Sequence, residues 1–132
     1  MEHRGSDRMR KRSCKPGAME QRALLSQVEA GGLGTVFKVL ASGTRLRLLH
    51  ALIRSDELSV NELARTVAMK PQAVSNQLQR LADLGVVASR REGLHVHYRL
   101  VDLCVQSLLE QAVCLMEASL ARGGSVSGSC GR

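Results

Sequence analysis

The apolar period of the chain changes at Gly85, and that change fixes the order of elements into which it can fold. Before Gly85, apolar residues recur every three or four positions; after it, VVASRREGLHVHYRL alternates as strands do. Leu46, Leu49 and Ile53 mark a core-facing helix with Ser42 placed as its N-cap. Ser59 and Glu62 form an S-x-x-E capping box, and Leu58 can staple against Leu63, so a short helix is expected from Val60 to about Val67–Met69. Pro71 suits the first position of the next helix, PQAVSNQLQRLADLG, which Gly85 stops. A β-hairpin then turns about Arg91-Glu92-Gly93, with Val96, Tyr98 and Leu100 on one face and His95, His97 and Arg99 on the other. From Asp102 to about Arg122 a last helix is apolar nearly all round, more than a small core requires, which predicts a partner chain against it. Upstream, residues 24–40 read as one or two helical segments, broken or frayed at the GGLG of residues 31–34.

A length of 132 residues allows one domain with tails. The expected divisions are a basic disordered arm over 1–16, a domain over 17–121 and a flexible Gly/Ser tail over 122–132. The formal charge is +7, more than half of it in the arm, and such a balance points to a polyanion, nucleic acid first. Uninterrupted apolar runs are only a few residues long and the first sixteen residues hold no apolar signal segment, so no membrane span and a cytoplasmic protein are expected. Cys14, Cys104, Cys114 and Cys130 are too sparse for a disulfide scaffold and read as reduced thiols, either small buried hydrophobes or thiolates kept for metal or redox chemistry. The glycines of GGLG follow no strand, and no nucleophile elbow, phosphate loop or HExxH occurs, so catalysis is not expected.

Helix, short helix, turn, polar helix, hairpin is the order of a winged helix-turn-helix: a mainly α fold with a β-hairpin wing. On the polar helix Gln72, Ser75, Asn76, Gln79 and Arg80 lie opposite Val74, Leu78 and Leu81, and these side chain types hydrogen-bond base edges and phosphates. Arg90 and Arg91 in the wing are placed for the flanking backbone of double-stranded operator DNA.

FKVLASGTRLRLLHALI, LSVNELARTVAMKPQAVSNQLQRLADLGVV and REGLHVHYRL resemble the core of the ArsR/SmtB family of metal-responsive winged-helix repressors, over about residues 33–121. The resemblance implies a homodimer joined by its first and last helices, bound to a partly palindromic operator and released by a metal ion. The chain departs from the family at its ligand sites. Where arsenic sensors carry C-x-C in the third helix, Glu57 to Leu63 reads ELSVNEL. In the last helix, the zinc sensors' D-x-H and H-x-x-E become Asp102-Leu103-Cys104 and Cys114-Leu115-Met116-Glu117. Candidate metal ligands are therefore Cys104, Cys114, Asp102 and Glu117, with Cys14 and Cys130 available as further sulfurs.

Ten residues of helix place Cys104 and Cys114 roughly 15 Å apart along the axis and about 80° around it, so one helix cannot close both on one ion. Two last helices packed antiparallel about Leu109 bring Cys104 level with the partner's Cys114 and give two symmetric sites per dimer, the arrangement that the resemblance implies. The family's usual spacing is about eleven residues, which returns to nearly the same face where ten does not. Thiolates select soft or borderline ions: Hg(II) first, then Cd(II), Pb(II), As(III), Cu(I) or Zn(II). Other readings remain open. The two cysteines can simply fill a Leu-rich interface, act as a redox or persulfide sensor, or belong to a basic DNA-binding protein with no effector. His95 and His97 read as exposed strand residues able to meet metal or phosphate, and His50 as a packed or partly buried side chain.

Overall fold

The structure is a computed structural model that describes residues 17–123. Residues 1–16 and 124–132, and with them the expectations for the arm, the tail, Cys14 and Cys130, lie outside the described residues. A 3-10 turn at Met19–Gln21 precedes α1 (Gln27–Leu40), α2 (Gly43–Arg54), β1 (Leu58–Ser59), α3 (Val60–Val67), α4 (Pro71–Leu84), β2 (Val87–Glu92), β3 (His95–Leu100) and α5 (Leu103–Gly123). This is the winged helix-turn-helix order expected from the sequence. The wing is a three-stranded antiparallel sheet in the order β1-β3-β2. Sequence reading misses β1, a two-residue strand pairing Leu58 with Tyr98 and Ser59 with His97, because two residues are too few to show a period.

Caps define the helices. The Ser59 hydroxyl accepts from Glu62 N and the Glu62 carboxylate from Ser59 N, closing the expected box at α3. Ser42 Oγ accepts from Arg45 N at the start of α2, Pro71 opens α4, and Gly85 ends it at φ 88° in the left-handed region that glycine tolerates best. α3 ends on Ala68 at φ 59°, a left-handed conformation that a Cβ disfavours. The expected break at residues 31–34 does not occur. α1 runs unbroken through Gly31, Gly32 and Gly34, started by a second capping box, Ser26 with Glu29, and the Thr35 hydroxyl donates to Gly31 O within it. A satisfied N-terminus outweighs three weak helix formers here.

The core is aliphatic: Leu48, Leu49 and Leu52 of α2, Leu63 of α3, Val74, Leu78 and Leu81 of α4 and Leu100 of β3 are fully buried. Fully burying each such side chain contributes about 1.5–3 kcal/mol, enough to replace the missing aromatics. Val96 and Tyr98 face the core as expected, but Arg99, expected on the outer face, is only 8% exposed. His50, expected to be packed, is exposed.

α1 and α5 leave apolar residues uncovered. Phe37 is 49% exposed, and Leu115 and Met116 of α5 are 67% and 54% exposed. Val105 is the buried residue of α5, with Leu108 and Leu109 packed against the core. By length and composition the 21-residue α5 is apolar enough to cross a membrane, although Glu110 and Glu117 lie on it. Counting unbroken apolar runs does not register a helix whose few polar residues are spread out, and length and composition alone do not make it a span.

Candidate nucleic-acid interface and thiol site

The turn Ala68-Met69-Lys70 sets α4 across α3, with Val74, Leu78 and Leu81 inward. That packing leaves Gln72, Asn76, Gln79 and Arg80 exposed and Ser75 half-buried. Two rungs join residues one turn apart: Gln72 Nε2 donates to Asn76 Oδ1 and Gln79 Nε2 to Asp83 Oδ1, each at 3.1 Å. Amides in such exposed i, i+4 pairs are able to exchange their mutual bonds for base edges.

Between the first turn of α4 and the start of β3 lies a cleft of about 240 Å³, lined by polar side chains from Ser59, Asn61, Gln72, Ser75 and His95. A second depression next to it is bounded by Asn61, Arg65 and Lys70. Asn61, Arg65 and Lys70 were not singled out from sequence. Their signal was present in the basic and amide side chains flanking the capping box and the turn, but only the fold shows that α3 and α4 share this surface.

The two wing arginines differ. Arg90 makes a bidentate ion pair with Glu57, Nη2 to Oε1 at 2.7 Å and Nε to Oε2 at 2.9 Å, and its Nη1 reaches Glu92 at 3.2 Å. The hydrogen bond from Arg90 holds the Glu57 carboxyl below its ordinary range. Arg91 is exposed.

Just after β3, Asp102 caps α5, its Oδ1 accepting from Cys104 N at 2.9 Å. Cys104 and Cys114 are half-buried and Glu117 is exposed one turn beyond Cys114. Both cysteines are disulfide-bonded, which corrects the expectation of reduced thiols. Lying ten residues apart on one helix, they are separated by roughly 15 Å along it and are not bonded to each other. Among the described residues no three His, Cys, Asp or Glu side chains come together to hold a metal.

A helix-turn-helix domain model matches residues 40–90, from the end of α1 into the wing. The cadmium resistance regulatory protein CadC of Listeria innocua is 32% identical over 97 residues, covering 74% of this chain and 82% of its own. A probable mercury resistance operon repressor of Streptomyces lividans is 35% identical over 79 residues, covering 60% and 62% of the two chains. The crystal structure of the antimony-specific transcriptional repressor AntR aligns with a TM-score of 0.70 and 51% identity, over 82% of this chain and 98% of that one. Motifs, architecture and relatives agree that the chain belongs to the ArsR/SmtB family of winged helix-turn-helix transcriptional regulators, which are DNA-binding proteins and not enzymes.

Proposed function

We propose that the protein is a homodimeric repressor that holds operator DNA until a thiophilic ion binds cysteines at its dimer interface. In this reading Gln72, Ser75, Asn76, Gln79 and Arg80 enter the major groove, and Arg90 and Arg91 lie along the flanking backbone. Half-sites are then about one helical turn apart, ~34 Å, or a multiple of it. The dimer is built from the uncovered apolar faces of α1 and α5, which are assigned to a second copy rather than to lipid, and the protein works in the cytoplasm beside its DNA.

The observation that carries the effector site is the pair Cys104 and Cys114 on an otherwise apolar, largely uncovered α5, too far apart for one helix to use together. Two antiparallel copies of α5 bring each beside the other's counterpart, with Asp102 and Glu117 as flanking oxygens. In this reading Cys14 or Cys130 can add a third thiolate. A set of thiolates suits Sb(III), As(III) and Hg(II) better than hard cations. We rank Sb(III) ahead of Hg(II), Cd(II), Pb(II) and Zn(II) as the ion to test first, a choice supported by the 51% identity to a repressor described as antimony-specific. Binding would favour a dimer whose recognition helices no longer match the operator, a coupling of typically ~1–3 kcal/mol.

The test is a titration of reduced protein with each ion, following thiolate-to-metal absorption in the ultraviolet together with release of a duplex from upstream of the gene. Release by Sb(III) or Hg(II), lost in the Cys104→Ser, Cys114→Ser double variant, supports the reading; full response in that variant overturns it. A second reading, thiol oxidation as the signal, is favoured by the disulfide state of both cysteines. It predicts DNA release by peroxide or polysulfide without any metal.

A further inference from the structure

Resting on the DNA-binding reading above, we infer that Arg45 is a positioning residue for the recognition helix α4, through Gln77. Arg45 stands in the first turn of α2, where its side chain joins two other helices. Its Nε donates to the carbonyl of Val39 in the last turn of α1, and its Nη1 donates to Gln77 Oε1 on α4 at 2.6 Å. All three residues are half-buried. The first bond satisfies a carbonyl that the helix end leaves without an intrahelical partner and puts a positive charge at the negative end of the α1 dipole. The second fixes α4 midway along its length, on a flank between its buried leucines and its base-facing amides. A partly shielded hydrogen bond from a charged donor is among the stronger kinds, and guanidinium geometry allows one side chain to serve both acceptors at once.

The packing gives this link its function. Within the protomer α1 packs chiefly on α4, and its remaining apolar surface is uncovered. α1 therefore connects the dimer seam to the recognition helix directly, and Arg45 is the polar tie that sets the angle between them. With the tie intact, the two α4 helices of a dimer are held at a defined separation, which is what operator spacing selects. With it cut, α4 keeps its core leucines but gains freedom to tilt, so specific affinity falls while contact with generic duplex survives.

The experiment compares wild type, Gln77→Met and Arg45→Lys. The first removes the acceptor at nearly constant shape; the second keeps the charge but loses the fork that reaches both partners. The readout is the ratio of dissociation constants for a mixed-sequence duplex and the upstream duplex, with gel filtration and melting temperature alongside. Both variants are expected to stay dimeric and to lose about tenfold or more in this ratio. A contact that is merely structural would lower the melting temperature and leave the ratio unchanged, which overturns the inference. Loss in Gln77→Met with none in Arg45→Lys would also overturn it, by showing that Gln77 reads DNA itself. Wild-type protein that does not distinguish the duplexes would contradict the DNA-binding reading, and this role with it.

Discussion

Arg90 and Glu57 face each other through two of the three guanidinium nitrogens, Nε and Nη2, and both carboxylate oxygens, tying the middle of the wing to the segment that enters β1. In the proposed DNA complex this pairing should leave Arg90 less available to phosphate than Arg91, for which no such pair occurs among the described residues. Counterion release makes the difference measurable. Arg91→Ala should make the slope of log affinity against log salt shallower by about 0.9, the value for one phosphate contact. Arg90→Ala should change it less, and Glu57→Gln should steepen it by freeing Arg90. Fluorescence anisotropy with operator duplex between low and physiological salt reads all three.

Ala68 occupies the left-handed region at the end of α3, where its backbone N–H reaches the carbonyls of Ala64 and Arg65. Glycine adopts this conformation without Cβ strain. Ala68→Gly should therefore raise stability by about 0.5–1 kcal/mol in urea unfolding, the gain at φ exceeding the added entropy of the unfolded chain. DNA affinity should be unchanged, since the turn keeps its shape.

The start of α3 depends on Ser59 and Glu62. Ser59→Ala removes the side-chain cap and should cost about 1 kcal/mol in the same measurement. The backbone hydrogen bond from Ser59 holds the Glu62 carboxyl below its ordinary 4.5. A folded value below the unfolded one means that the unfolded chain takes up its proton first as pH falls. The contribution is complete above about 4.5 and disappears as pH drops through the folded value. Glu62→Gln keeps an acceptor without a titrating charge, so its stability should fall less steeply over that acid range than that of wild type.

The helix-turn-helix was legible because each of its boundaries is written in one or two residues: Ser42, the Ser59–Glu62 box, Pro71 and Gly85 all act where the sequence places them. GGLG misled because propensity is a weak local term and the box formed by Ser26 and Glu29 lies several residues away from it. β1, the burial of Arg99 and the Arg45 tie were not legible, since each depends on pairing between segments far apart in the chain. Of the candidate site, the residues came from the family resemblance, and the impossibility of closure on one helix followed from spacing. The disulfide state of Cys104 and Cys114 did not, because spacing along one helix does not tell which sulfurs meet.

The central claim is that one ion is held by Cys104 of one protomer and Cys114 of the other. Complementation between single variants tests it directly, using Sb(III) and thiolate absorption on reduced protein. Cys104→Ser and Cys114→Ser dimers should each bind no ion. After subunit exchange of an equal mixture, half the dimers are mixed and each regains one of two sites, restoring about a quarter of the wild-type signal. No restoration on mixing, or full binding by either variant alone, would contradict a site shared across the dimer.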